Sequence, residues 1–364
     1  MCNKNENRLR SGLFALLRCE LWGEPLPDLE LTPEEYLEIF AEARRQTVAG
    51  LVAQVLIDNN VALGTKGAME VFGLLNQIKQ RNGQINDGMG KFCSFLTRRG
   101  VKHVVVKGQT VAQSYRHPLS RQSGDVDFYC DAENYGKAKA YIEKQLGISL
   151  ENFFAEKHVE FEAGGISYEM HSKLCDFSSK RHQSNWERFL ASDMEGELAC
   201  VDVAGVSIPT LSPTMNAYYL FVHIFHHLVI SGIGLRQFCD WAMWLHSHAG
   251  EIDRRLLSEY LTGTGLLKAY RVLGVVLVDN LGLPAEDFPL EITEKDRRRC
   301  RKVLKNIFRM GNFGYSKKSH LKRGPVHVME TAWVAFCQSA RFVSLAPAEV
   351  MPRIPKMIIW HLKR

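Results

Sequence analysis

The chain has 364 residues, too many for one small hydrophobic core, so two or three subdomains are expected. Its apolar share of 46% and charged share of 24% are those of an ordinary soluble globular protein, and no internal repeat or low-complexity segment is present. The net charge of +6 suits an anionic small substrate; it does not by itself mark a nucleic-acid binder, nor does it exclude one.

Residues 8–100 read as helical. Thr32-Pro33-Glu34-Glu35 is a helix start, with Thr32 as N-cap, proline in first position and Glu35 completing a capping box. Apolar residues then recur at 3–4 spacing from Tyr36 to Ile57, and a later helix through Phe92 and Leu96 stops at Gly100. Between residues 101 and 210 the texture changes to short strands with one clear helix, Asn134 to Leu146, closed by Gly147. Gly164-Gly165 reads as the two-residue turn of a hairpin between 158–163 and 166–171, and Ala204-Gly205 as a second turn. Leu211-Ser212-Pro213 opens a helical segment with runs at 216–230, 237–248, 254–262 and 266–281. The tail from Thr331 is helical but broken by Pro347, Pro352 and Pro355. The expected division is a helical segment over 1–100, an α/β domain over 101–210 and a helical domain over 211–364, making the fold class α+β.

Nine cysteines occur without any C-x-x-C pair, and Cys93, Cys130, Cys239 and Cys337 sit in apolar runs where a reduced thiol packs as a small hydrophobe. The N-terminus lacks the apolar core of a secretory signal, and no apolar run reaches membrane-spanning length. A cytoplasmic protein with no membrane span is expected. Basic residues gather late, in Arg297-Arg298-Arg299, Lys317-Lys318 and Lys363-Arg364, and are taken as solvated faces.

The stretch from residue 104 to 130 carries the chemistry. A short strand over 103–106 runs into Lys107-Gly108, and a second strand opens with Asp125 and Asp127. Strand side chains alternate, so the two aspartates share one face while Val126, Phe128 and Cys130 take the other. Two carboxylates on one face repel unless positive charge lies between them. A pair of divalent ions about 3.5–4 Å apart is the arrangement that uses such acids in phosphoryl and nucleotidyl transfer. The hairpin register places Glu160 opposite Glu169, an unfavourable pair. Either that edge is solvated, or Glu169 turns inward as a third acid beside Asp125 and Asp127.

With these residues the chain resembles nucleotidyltransferases of the DNA polymerase β type. More narrowly, it resembles a bacterial family of uncharacterised nucleotidyltransferases. The motifs are Lys107-Gly108, Tyr115, Arg121, Asp125-Val126-Asp127 and Tyr168-Glu169-Met170-His171, continuing through Leu211-Ser212-Pro213, His223, His227, Gly234-Leu235-Arg236 with Asp240, and Gly311-Asn312-Phe313-Gly314. The resemblance implies a small mixed-sheet catalytic domain in which Asp125, Asp127 and Glu169 hold two Mg²⁺ ions. It implies a nucleoside triphosphate as co-substrate and a hydroxyl-bearing acceptor whose identity the sequence leaves open. A catalytically silent nucleotide-binding or regulatory module of the same fold is the alternative. Two departures stand out: Gln109-Thr110 replaces the serine that usually follows the glycine, and the third acid is glutamate.

The remaining candidates surround the nucleotide. Gly108 lets backbone approach phosphate, and a helix starting near Gln109 would aim N–H groups at it. Lys107 either meets phosphate or is a strand-end surface lysine; Arg121 either grips phosphate or pairs with an acid. Arg236 and Asp240, four apart on a helix, either pair with each other or face the nucleotide. His223-x-x-His226-His227 has zinc-ligand spacing but no acid inside it, so core or inter-segment hydrogen bonding is the plainer reading. Trp241 and Trp244 read as core residues.

Overall fold

A computed structural model describes residues 4–150, 158–312 and 325–353. Phe313, Gly314, Lys317, Lys318, Pro355, Lys363 and Arg364 lie outside the described residues. The chain is α+β, with four strands in one mixed sheet, two in a second, and helices before and after them.

The N-terminal helices are α1 (Lys4–Trp22), α2 (Pro33–Arg45), α3 (Ala49–Asp58) and α4 (Gly64–Thr97). The capping box forms as predicted: Glu35 N–H donates to Thr32 Oγ1 (3.3 Å), and Thr32 N–H donates to Glu35 Oε2 (2.9 Å). The apolar run from Tyr36 to Ile57 is not one helix, however. Thr47 adopts a left-handed backbone (φ 57°) between α2 and α3. Apolar spacing carries on across the short break, so periodicity alone does not reveal it. Helix α4 spans about 50 Å and closes where Val101 N–H reaches back to Leu96 O (3.1 Å), with Gly100 at φ 67°.

Strand β1 (Val104–Val106) is followed by the single turn α5 (Gln109–Ala112). Next come β2 (Val126–Tyr129), α6 (Ala132–Leu146), β3 (His158–Ala163) and β4 (Ile166–His171). The sheet order is β1-β2-β4-β3, with β2 and β4 parallel and the two outer pairings antiparallel. The hairpin keeps the predicted register, Ala163 opposite Ile166 and Glu160 opposite Glu169, and both turn glycines have positive φ (58° and 73°). A second hairpin, β5 (Ala199–Val203) and β6 (Val206–Thr210), turns at Ala204-Gly205 as expected; Thr210 Oγ1 donates to Val105 O (2.9 Å).

Between these hairpins lies α7 (Lys180–Asp193), so the segment 101–210 holds more than the one long helix its sequence suggests. Its sequence is polar apart from Trp186, Phe189 and Leu190, a narrow i, i+3, i+4 strip that is fully buried.

The C-terminal helices are α8 (Pro213–Ile230), α9 (Leu235–Ser247), α10 (Arg254–Gly263), α11 (Leu267–Val275), α12 (Glu294–Met310), α13 (Pro325–Phe342) and α14 (Pro347–Val350). Ser212 caps α8, its Oγ accepting from Met215 N–H (3.2 Å). Trp241 and Trp244 are core residues. Among the described residues no single helix is long and apolar enough to cross a membrane.

Two cores fix the sheet. Phe128, Phe161, Tyr168 and Met170 cover one face and pack with Ile85 and Met89 of α4 and Ile142 of α6. A larger core joins Leu16, Phe40 and Val52 to Phe221, Trp241 and Tyr270, so the early and late helices bury their apolar faces together. With one sheet face filled by aromatic side chains, the alternate residues of β2 and β4 project to the other. That face carries the acids.

Candidate active site

Strand β1 delivers Lys107 and Gly108 to a tight turn in which both residues have positive φ (53° and 61°). Positive φ is uncommon for lysine, and here the side chain it aims has a partner: Lys107 Nζ lies 2.9 Å from Asp127 Oδ1. Asp127 sits in β2 between Val106 of β1 and Glu169 of β4, its Cα partners on either side. Parallel pairing thus sets Asp127 and Glu169 side by side on one face, and Asp125, two residues earlier, joins them in the wall of one cavity of about 290 Å³.

His171 completes the cluster. Its Nε2–H donates to Asp127 Oδ1 (2.8 Å) and lies 3.4 Å from Glu169 Oε2; one donor atom from each of Asp127, Glu169 and His171 falls within 4.8 Å of the others. Burial pushes Asp127 up, but Lys107 and His171 outweigh it and hold the carboxyl well below the usual range. Glu169 moves the other way. Burial, then the neighbouring Asp125 and Asp127, push it up to about 7 although His171 hydrogen-bonds to it. His171 is raised: burial lowers it, but Asp127 and Glu169 favour the imidazolium more.

Helices α8 and α9 add His223, His227, Arg236 and Gln237 to the lining of the same cavity as the acids. The rings of His223 and His227, one helical turn apart, lie close but tilted, with centroids 4.4 Å apart and planes at 60°. Burial first, and then the Lys107 charge, keeps both neutral; His227 is lowered to about 3. His226 points elsewhere, toward Glu349 (3.4 Å), so the three histidines do not converge on one ion. Arg236 donates Nη1–H to Gln122 O (3.0 Å), while its buried Nε–H has no hydrogen-bond partner and no carboxylate among the described residues pairs with it.

Arg121 and Asp240 also line the cavity, but they are committed to each other. Arg121 Nε and Nη2 meet Asp240 Oδ1 and Oδ2 at 2.6 and 2.7 Å, and Tyr115 donates its hydroxyl to Oδ1 at 2.7 Å. Of the two readings left open for Arg121, the ion pair is the one that forms. Asp240 takes Arg121 rather than Arg236. The loop carrying Arg121 is clamped by α3 and α4. Asn82 Nδ2 donates to Leu119 O and Arg121 O (both 2.7 Å), Ser120 Oγ donates to Gln54 (2.8 Å), and Gln122 accepts from Ala49 N–H (2.8 Å). Gly50 makes this approach possible: a Cβ there would lie 2.1 Å from Ser120 O.

Gln109 is turned away from the acids. It is buried and donates to Asn86 Oδ1 of α4 (2.5 Å), while Gly108 remains at the cavity wall. The single turn α5 that follows is too short to carry a developed helix dipole. The structure thus gathers Lys107, Gly108, Arg121, Asp125, Asp127, Glu169, Arg236 and Asp240 around one cavity and leaves Gln109 behind it. The sequence reading gave no role to His171, yet its position two residues from Glu169 puts it on the same strand face, the signal by which it is found. His223 and His227 carried the i, i+4 signature of one helix face.

The fit to divalent cations follows from the donors. Three carboxylates supply hard oxygen ligands of the kind Mg²⁺ prefers, and one donor atom from each of Asp127, Glu169 and His171 lies within 4.8 Å of the others.

The model of a family described as an uncharacterised nucleotidyltransferase matches residues 32–281, and the chain belongs to that family. No curated protein and no solved structure matches it.

Proposed function

We propose that this family member transfers a nucleoside monophosphate from a nucleoside triphosphate to a hydroxyl-bearing acceptor, releasing pyrophosphate, in the manner of polymerase β-type enzymes. The observation that carries the reading is the mixed charge of one cavity, which Asp125, Asp127 and Glu169 line together with the cations Lys107 and Arg236. Acids alone would repel a triphosphate and bases alone would not gather its metal ions; a metal-nucleotide complex needs both.

Asp125, Asp127 and Glu169 would hold two Mg²⁺ ions. When bound, such ions neutralise phosphate oxygens and stabilise the attacking and leaving oxygens of an in-line displacement. His171 and Lys107 fix the Asp127 carboxylate, His171 from its own strand pair and Lys107 from the turn after β1. Arg236, with an unsatisfied Nε–H, offers donors to the phosphate chain. Glu169, beside Asp125 and Asp127 on the cavity wall, would take the proton from the acceptor hydroxyl through its carboxylate. The acceptor oxygen then bonds to the α-phosphorus, the bond to the bridging oxygen breaks, and pyrophosphate departs with that electron pair.

The test is incubation with Mg²⁺ and each labelled triphosphate over a broad acceptor panel, comparing the protein with Asp125→Asn/Asp127→Asn. Pyrophosphate and labelled product are expected only from the unaltered chain. Equal output from both proteins would overturn the catalytic reading, and nucleotide binding without turnover would make the chain a silent module.

A further inference from the structure

The modest net charge conceals a strong local asymmetry. Helix α12 carries Lys295, Arg297, Arg298, Arg299, Arg301, Lys302, Lys305 and Arg309, while Glu294 and Asp296 are confined to its first turn. Arg297 is neutralised by Asp279 and Glu294. Arg298, Lys302 and Lys305 are exposed and have no ion-pair partner among the described residues. They face a groove closed on its far side by α13 and the turn after it. One part, about 210 Å³, is lined by Lys295, Arg298, Arg299, Lys302 and Arg341; the next, about 460 Å³, shares Lys302 and Arg341 and adds Lys305 and Arg309. No carboxylate of the described residues lines either part. Lys268 and Arg341 feel the crowding. Lys268 is lowered by burial and then by Arg299 and Lys295, and Arg341 by burial and then by Arg309.

We propose that the groove between α12 and α13 binds the backbone of a single-stranded nucleic acid. From Lys295 to Arg309 the stripe runs about 20 Å, with cations on each helical turn of about 5.4 Å, a linear array suited to a repeating phosphate chain. A compact phosphate would engage only one end of it. A flat anionic membrane would meet the helix crest rather than the recess beside Arg341, and a duplex is too broad to enter that recess. Arg298, Arg299, Arg309 and Arg341 add planar faces on which bases stack. Just past the end of α12, Asn312 accepts a hydrogen bond from Gln237 (3.1 Å), a residue that lines the acid-containing cavity. The inference concerns binding and stands whether or not that cavity transfers nucleotides.

Fluorescence anisotropy with labelled single-stranded RNA and DNA oligonucleotides, measured across a salt series on the full chain, tests it. Arg298→Glu/Lys302→Glu/Lys305→Glu is expected to lose at least about tenfold in affinity and to flatten the salt dependence, by roughly 0.7 log units per lost phosphate contact. Lys302→Arg should bind as the unaltered chain does, and Lys302→Glu alone provides the measurement if the triple variant fails to fold by circular dichroism. Oligonucleotide affinity unchanged in the glutamate variants would overturn the proposal. So would binding confined to duplexes, to heparin or to phosphatidylserine vesicles.

Discussion

Replacing Asp240 by alanine should destabilise the protein by about 3–5 kcal/mol. The side chains of Arg121 and Asp240 are only 5% and 4% exposed, so solvent screens their attraction little. Removing the carboxylate deletes two charge-assisted contacts and the acceptor of the Tyr115 hydroxyl, leaving three buried donors. At about 1–3 kcal/mol for each unsatisfied group the gross loss would reach well above the expected figure. Water entry and side-chain relaxation into the adjoining cavity bring it down. Urea unfolding followed by tryptophan fluorescence measures the change as a shift in midpoint at constant slope. Tyr115→Phe should cost about 1–2 kcal/mol, because the ion pair survives. The Arg121→Met/Asp240→Leu pair should lose less than Asp240→Ala alone, since no uncompensated charge is left inside. The reasoning is refuted if Asp240→Ala costs under about 1 kcal/mol, or if the losses at Arg121 and Asp240 simply add.

Two further outcomes follow from buried polar groups. Burial pushes Glu20 up to about 7 although His117 (3.0 Å) opposes the shift; a folded-state pKa above the unfolded one gives stability that is present below about pH 4.5 and lost as pH rises through 7. Glu20→Gln should therefore abolish a fall of up to about 3 kcal/mol between pH 4.5 and 8, read from thermal midpoints against the unaltered chain; parallel pH curves would contradict it. Gln109→Ser should cost about 1–2 kcal/mol through the lost contact to Asn86 and leave nucleotide affinity unchanged. Nucleotide titration checks this, and altered affinity with unaltered stability would restore Gln109 to the phosphate site.

Local rules read most of the frame. Caps at Thr32 and Ser212, the Gly164-Gly165 turn and strand alternation around Asp127 are settled within a few residues, and the hairpin register followed from the turn alone. What escaped the sequence is decided at long range. The parallel partnership of β2 and β4 gives Glu169 its place beside Asp127, whereas a solvated hairpin edge satisfied the same local pattern. The choice of Asp240 for Arg121 over its helix neighbour Arg236 depends on a loop clamped by α3 and α4. Helix α7 lacked a wide apolar stripe because three large residues suffice where neighbouring helices already close the core. The α12 stripe was visible as a charge run, but only its pairing pattern separates neutralised Arg297 from unpartnered Arg298 and Lys302.

The parallel pairing of β2 with β4 has a kinetic consequence. Asp127 and Glu169 are neighbours only after the chain between them has formed α6 and β3 and folded back, a closure over about 40 residues whose entropy must be met before the strand contacts repay it. On a growing chain, Asp125 and Asp127 emerge before β4, so the two-metal site proposed above would stay incomplete until β4 docks. If the site binds metal as proposed, tight coordination would be withheld from partly folded forms, and a metal titration during refolding would time the docking of β4.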